Sequence, residues 1–412
     1  MAREAWALGA PAHTGGAGVA LPLRRLDTRL GRGWEGPALL LLTVALLAIG
    51  LVSVYSATIV RAQAEGLPAH WFVVRQAAGG ALGLVCLVLC AQLDYRRLRL
   101  LAWPGVLAVM AMLLMTVLPG TESIAPELNG SRRWLLVGPV VLHPGELAKL
   151  ALILWTATLV VKKQDRLPSL TRGLMPFLVV WAGMAGLVML QPNFSPAVLL
   201  LVLSGLVVFA GGGRIGHFVL LGLVALPLVW GQVVGAAYRL RRVAAFLTPD
   251  ADIAGVGYQI NQALIALGSG GLVGRGFGRG QQKFGFLPEP HNDFIFAMIG
   301  EEWGLLGTLL VLGLFTGFAL VGYRVARHAP DLFGSLLALG LTNLIVVQAL
   351  LHMAVNVALV PTTGVTLPFL SYGRSSLLVC LAASGILIGI ARSGMSAAAD
   401  ARRLDVERGG AA

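Results

Sequence analysis

Ten separate stretches of this chain are each long and apolar enough to cross a lipid bilayer. A hydrocarbon core takes about 20 apolar residues wound as a helix. Without water to satisfy peptide groups, the backbone must bond within each segment. The stretches fall at roughly 37–58, 72–92, 98–119, 145–162, 173–190, 194–211, 216–236, 294–324, 334–358 and 374–392. They predict an all-α polytopic membrane protein of about ten transmembrane helices. Only 12% of residues are charged, where a soluble domain carries about 25%.

The fifth and sixth stretches are separated only by "QPN", which reads as a tight turn. An even number of spans places both termini on one side. Basic residues choose that side: "DYRRLR" (94–99), "KKQDR" (162–166), "GGRIGH" (212–217), "YRVARH" (323–328) and "ARR" (401–403) all fall with the N-terminus, hence in the cytoplasm. The domain reading is a flexible cytoplasmic tail at 1–36, a membrane domain at 37–393 with a large outer loop at 237–293, and a second cytoplasmic tail at 394–412. The net charge of +12 belongs to this cytoplasmic excess, and no aromatic-rich basic patch points to nucleic acid. Cys86, Cys90 and Cys380 lie within apolar stretches and read as packing residues, since no metal-type Cys/His spacing is present.

Two loops on the opposite side are long, about 120–144 and 237–293, and both carry basic residues against the usual bias. Arg132 and Arg133 lie in the first; Arg239, Arg241, Arg242, Arg275, Arg279 and Lys283 lie in the second. Two readings stand: contact with lipid phosphates at the interface, or an anionic ligand. Within the second loop "QALIALG" has the pattern of a short amphipathic helix lying on the membrane. Seven glycines then run from Gly268 to Gly280, where close backbone approach is permitted, with no P-loop or dinucleotide spacing.

Charges inside apolar runs cost about 2.5–3.5 kcal/mol each and call for partners. Glu146 and Lys149 in "HPGELAKLALILW" share one helix face. They are either a pair that neutralises itself or a lysine facing a shared cavity. Asp293, after "PEPHN", is either a helix N-cap or a carboxylate at a cavity mouth whose burial raises its proton affinity toward that of a general base. Glu301 and Glu302 sit about 12 Å further along the same expected helix and read as structural pairing across helices. His291 by itself reads as a turn histidine at the interface. "NVALVPTTGVTLPFLSYGRSSLL" (356–378) breaks the apolar pattern, and irregular backbone at that depth must line a cavity or be buried in protein.

Taken together, "NGSRRWL", "GELAKLALI", "QPNFSPAVLLLV", "YQINQALIALGSGGLVGRGFGRGQQKFGFLPEPHNDFIFAMIGEEWG" and "PTTGVTLPFLSYGRSSLL" resemble the SEDS family (shape, elongation, division and sporulation proteins) over about residues 37–393. The "PTTGVTLPF" and "GQQKFGFLPEPHNDFIF" segments look more like the family's division type than its elongation type. The resemblance implies a peptidoglycan glycosyltransferase that polymerises lipid II at the outer face of a bacterial cytoplasmic membrane, releasing polyprenyl diphosphate. It implies a class B penicillin-binding protein and other division membrane proteins as partners, and the division septum as the location. The family's loop acid falls on Asp293, expected as general base, and its fourth-helix pair on Glu146 and Lys149, expected at the catalytic centre. Arg132, Arg239 and Lys283 match its loop cations. Arg275 and Arg279, with His291 and Ser371, complete the expected substrate-binding set. No resident cofactor is implied; a divalent cation, Mg²⁺ or Mn²⁺, arriving with the diphosphate is compatible with this chemistry.

Four departures stand out, one of them Asn292 in place of a common Thr. Asn193 replaces the Asp of the usual "QPD", Arg374 replaces the second Gly of "SYGGSS", and "HPGELAK" replaces "QPSELAK". Asn193 and Arg374 both change local charge in the positive direction, which suggests coupling. Two other functions fit charged, broken membrane helices: a lipid II flippase, and a weakly active scaffold that activates the transpeptidase. The polar residues cluster at the outer end and no internal repeat is evident, which favours the polymerase.

Overall fold

The computed structural model describes residues 33–127, 131–138, 140–247 and 255–409, with side chains described as far as Ser396. Most of the expected tail at 1–36 lies outside these residues, as do the side chains of "ARR" at 401–403. The expected tail at 394–412 begins as helix, because the last helix continues to Gly409.

Among the described residues twelve α-helices follow in chain order: α1 (Glu35–Ala64), α2 (Trp71–Gln92), α3 (Leu98–Val117), α4 (Pro144–Lys162), α5 (Met175–Leu190), α6 (Phe194–Ala210), α7 (Ile215–Val234), α8 (Ala237–Leu247), α9 (Val256–Gly270), α10 (Ile295–His328), α11 (Leu332–Asn356) and α12 (Arg374–Gly409). Among the described residues nine helical segments have the length and apolarity of membrane spans, and Phe194–Ala210 is a shorter apolar helix. At 17 residues it is about 25 Å long, enough for a thin crossing. The chain is therefore a multi-pass membrane protein, as its apolar runs predict. A short antiparallel hairpin, β1 (Leu135–Val137) with β2 (Val140–Leu142), occupies the first long loop.

Small residues let the central helices close on one another, as is usual where the hydrophobic effect does not drive helix association. On α2, Gly83 meets Leu381 of α12, and Gly385 of α12 meets the backbone of Leu87. By contrast no residue of α7 is buried; its Phe218 ring stands edge-on to Phe209 of α6, with centroids 5.8 Å apart.

Both ends of the bundle are tied by charge. Where α1 begins, Arg324 Nε donates to Glu35 at 2.9 Å. At the same end Asp331 caps α11 through Gly334 N–H at 2.8 Å and accepts from Tyr95 and Arg96. The far end gathers the long loops.

One expected span departs from its prediction. The apolar run at 294–324 is not one continuous helix, because Gly304 has φ +68° and ψ −161° inside α10. Residues 271–276 fill the break. Arg275 and Gly276 N–H groups donate to the carbonyls of Glu301 and Glu302, while Leu305 and Leu306 N–H groups donate to the carbonyls of Gly271 and Leu272. Every one of those helix groups would otherwise lack its partner one turn away, so the glycine loop completes the ladder it interrupts. The "QALIALG" segment does form a helix, α9, but it is packed rather than simply laid on a membrane. Its Ile260, Ala263 and Ala266 are buried, and Gly270 crosses the backbone of Gly300.

Candidate active site

Asp293 ends the turn that leads into α10. Its own N–H and that of Asn292 both donate to the Glu289 carbonyl, at 3.2 and 3.1 Å. Buried Asn356, the last residue of α11, receives the Ala297 N–H at 3.0 Å and donates to the Asp293 carbonyl at 3.0 Å. The backbone of Asp293 is thus fixed from a second helix, and its side chain is left for another task. Among the described residues the carboxylate makes no hydrogen bond or ion pair, which tells against the N-cap reading. Gly364 lies beside it, where a Cβ would make ordinary contact at 3.9 Å from Oδ2. Burial raises the Asp293 carboxyl to about 6, helped by the charge of Glu289 and opposed by Arg242 and Arg133.

The 357–373 segment packs over this turn, as its broken apolar pattern suggests. Ser371 Oγ donates to the Asn292 carbonyl at 2.7 Å and accepts the Leu367 N–H at 2.8 Å. Tyr372 N–H donates to the His291 carbonyl at 2.9 Å. Gln76 of α2, fully enclosed, holds the same segment through the Ser371 carbonyl and the Gly373 N–H. Ser371, expected to bind substrate, has its hydroxyl committed to holding the Asp293 turn.

Two arginines supply positive potential at Asp293. Arg242 of α8 also donates to the Thr362 carbonyl at 3.2 Å. Arg133 reaches from the first long loop to the Gln191 and Pro192 carbonyls, at 3.0 and 2.9 Å. That puts a cation beside the "QPN" turn where Asn193 stands. Asn193 starts α6 without a side-chain cap. Arg374 instead lies against Gly79 of α2, and the two departures share no partner among the described residues.

The expected cations separate on inspection. Arg132 pairs with Glu122 at 2.7 Å. Arg239 donates to Gln232 and stacks over Phe194 at 5.3 Å. Arg275 stands 3.9 Å from Glu301, and Arg279 is exposed. Lys283 corrects its expectation: its ammonium is enclosed by Glu302 at 2.9 Å, Ser56 of α1 at 3.0 Å and the Gly278 carbonyl at 2.7 Å. It is fully used inside the protein and presents no charge to a ligand. Glu301 and Glu302 are structural, though not as simple pairs across helices. Glu301 accepts the N–H groups of Gln281 and Gln282, and Glu302 those of Gly278 and Gly280. Their acids cage the glycine loop.

Lys149 follows the self-neutralising reading, extended to a third element. Its ammonium lies 2.9 Å from Glu146 and 2.6 Å from Gln348 of α11. Gln348 in turn donates to Thr366, and Thr366 meets Ser376 of α12. The pair therefore joins α4, α11 and α12 to the loop over Asp293, and neither residue contacts Asp293 itself. His291 is enclosed; its Nε2 is 3.3 Å from Arg61 and 3.5 Å from Glu289, and burial lowers its proton affinity to about 4. Gln76, Gln348 and Asn356 are the positioning residues that the sequence reading passed over; each is an uncharged amide in an apolar run. Among the described residues no three His, Cys, Asp or Glu side chains gather as a metal site.

Comparison with known proteins converges on one family. Residues 37–395 match the FtsW/RodA/SpoVE family model, described as cell cycle protein. A probable peptidoglycan glycosyltransferase FtsW of Trichlorobacter lovleyi is 40% identical over 352 residues, which cover 85% of this chain and 92% of that protein. Stage V sporulation protein E of Bacillus subtilis is 39% identical over 356 residues, 86% of this chain and 96% of that one. A chain from a solved peptidoglycan synthase complex that coordinates polymerization and crosslinking superposes with a TM-score of 0.70 at 29% identity, covering 88% of this chain and 98% of that chain. The rod shape determining protein RodA of Thermus thermophilus gives a TM-score of 0.62 at 29% identity and the same coverage.

Proposed function

Because this chain belongs to the FtsW/RodA/SpoVE family of cell cycle proteins, we propose that it is a peptidoglycan glycosyltransferase that polymerises lipid II and that Asp293 is its general base. The observation that carries this reading is the Asp293 carboxylate, half-buried, without a hydrogen bond or ion pair among the described residues, and facing the fields of Arg242 and Arg133. A carboxylate that titrates near neutrality has the proton affinity a base needs.

In the reaction Asp293 takes the proton of the acceptor sugar's 4-hydroxyl. The freed oxygen forms a bond to the anomeric carbon of the donor, from the face opposite the leaving group. The carbon–oxygen bond to the diphosphate breaks, and polyprenyl diphosphate departs with the electron pair. Arg242 and Arg133 stabilise the charge that develops, in surroundings where fixed cations act more strongly than in water. Arg132, Arg239, Arg275 and Arg279 form the outer cations that an approaching diphosphate meets. Glu146, Lys149 and Ser371 hold the frame. A divalent cation would come bound to the diphosphate, and no step above depends on it.

The long loops lie outside the cytoplasm and both termini inside it, in keeping with the basic residues of the short loops. The FtsW-type resemblance supports a septal role, and the likeness to a synthase complex supports a class B transpeptidase as partner.

The test is polymerisation of lipid II by the purified protein, with and without a co-expressed class B transpeptidase, with glycan chains resolved on a gel. Polymer that disappears in a folded Asp293→Asn variant is expected. Substantial polymer from that variant removes Asp293 from the base role. No polymer from the wild type with its partner shifts the assignment to a scaffold, or to a flippase if labelled lipid II crosses liposomes.

A further inference from the structure

The turn that presents Asp293 is built on a second carboxylate. Glu289 has φ +47°, in the left-handed region that a residue with a side chain rarely enters. Its carbonyl receives the N–H groups of Asn292 and Asp293. Its carboxylate is held by Arg61 Nη1 of α1, at 3.2 and 3.3 Å from the two oxygens, and by Asn292 Nδ2 at 3.0 Å. Arg61 is itself shared, with Nε 2.8 Å from Glu65 and Nη1 3.3 Å from His291. A line of alternating charge, Glu65–Arg61–Glu289, therefore runs beside the base. The other charges that face Asp293 are Arg242 from α8 and Arg133 from the first long loop. The mechanism above uses neither Arg61 nor Glu289.

We propose that Arg61 and Glu289 are positioning residues for Asp293, the pair fixing the left-handed turn and setting how much of Glu289's negative charge reaches the base. This rests on the reading of Asp293 as the base. With the pair intact, the Arg61 guanidinium balances the carboxylate it grips. Without the guanidinium, the unbalanced Glu289 anion makes Asp293 hold its proton to higher pH. Without the Glu289 charge the arginines dominate, and Asp293 releases its proton at lower pH. Each Gln substitution keeps a group able to hydrogen-bond across the pair, so charge changes more than shape.

The experiment is the pH dependence of kcat/KM for lipid II polymerisation by the full-length protein with its transpeptidase. Wild type, Arg61→Gln, Glu289→Gln, the double variant and the charge-keeping Arg61→Lys and Glu289→Asp are compared. The wild-type rate falls on the acid side as the base takes up its proton. Arg61→Gln moves that midpoint up and Glu289→Gln moves it down, each by a fraction of a pH unit, since both side chains are nearly half exposed and screened by solvent. The double variant, Arg61→Lys and Glu289→Asp stay near wild type. Midpoints that coincide in every active variant, with only the plateau reduced, overturn the inference and leave a plain structural pair. If either Gln variant fails to fold, a midpoint displaced in the charge-keeping variants overturns it equally. A wild-type profile that stays flat down through pH 6 overturns the base reading itself, and the inference with it.

Discussion

Lys283 Nζ stands 2.9 Å from Glu302 Oε1, and both side chains are almost wholly enclosed. The pair joins the glycine loop to the first segment of α10, with Ser56 of α1 as a third member. Burying two charges is costly, and leaving one without its partner costs about 3–5 kcal/mol. Lys283→Met should therefore lower the thermal midpoint sharply, because the buried Glu302 loses its partner. Lys283→Met combined with Glu302→Gln should cost clearly less than the two single changes added together, since the double variant leaves no buried charge unpaired, even though the single amide oxygen can receive only one of the Gly278 and Gly280 N–H groups. Thermal unfolding of the four proteins in detergent measures this cycle. Additive losses would mean that the two charges do not depend on each other.

Gly304 makes a second prediction. Its φ of +68° and ψ of −161° fall in a region essentially reserved for glycine, and forcing another residue there costs about 1–3 kcal/mol. A Cβ would also stand 2.3 Å from the Gly274 nitrogen, so the inserted loop would have to move. Gly304→Ala is expected to destabilise the protein and to reduce polymerisation. Gly313, further along α10, meets nothing within 4 Å of a built Cβ; Gly313→Ala should be neutral or stabilising, by up to about 1 kcal/mol. Equal effects from the two alanines, read by thermal midpoint, would contradict the assigned break.

That break also marks the limit of what the sequence discloses. The spans are legible because bilayer thickness fixes helix length, so ten apolar runs leave few alternatives. Asp293 is legible only in part: its place at the edge of an apolar run leaves a helix N-cap and a base equally open, and the resemblance to the family is what separates them. The run at 294–324 hides its interruption, since a helix tolerates a single glycine, and only the pairing of residues 271–276 with 301–306 makes Gly304 a break. Lys283 misleads for a related reason. A basic residue in an outer loop suggests a ligand, and nothing nearby in the sequence says that Glu302, nineteen residues on, will neutralise it. Glu146 and Lys149 show the same split: their shared helix face follows from spacing, whereas Gln348 lies on another helix and is found only by folding.

Asn193 offers a gain. It begins α6 with no side-chain cap, one residue beyond the carbonyl that Arg133 grips. A carboxylate there would meet the helix N-terminus and the guanidinium together. A charge at a helix end contributes about 0.3–1 kcal/mol, so Asn193→Asp should raise the thermal midpoint at neutral pH by a few degrees at most. The gain should largely persist in high salt, because Asn193 is buried and a buried pair is screened little. A midpoint that does not rise would count against an electrostatic role for this position.

Asp293 carries the last prediction, which concerns stability rather than rate. Burial holds its carboxyl at about 6 in the folded protein, above its ordinary value of 3.8. The folded state thus binds this proton more tightly than the unfolded state. The resulting stability is complete below about pH 4 and is lost as pH rises through about 6. At pH 7 to 8 the fold therefore bears an ionised, half-buried carboxylate without a hydrogen-bond donor among the described residues, at a cost of at most about 2 kcal/mol. Asp293→Asn removes that charge. The variant should melt higher than wild type at pH 7.5, and the advantage should fade as pH is lowered toward 4, where the wild-type acid is already neutral. Thermal unfolding of both proteins across this range tests the point without any substrate. A variant less stable than wild type at pH 7.5 would mean that the ionised carboxylate is held by favourable contacts, and that Asp293 is part of the frame rather than a group kept ready for a proton.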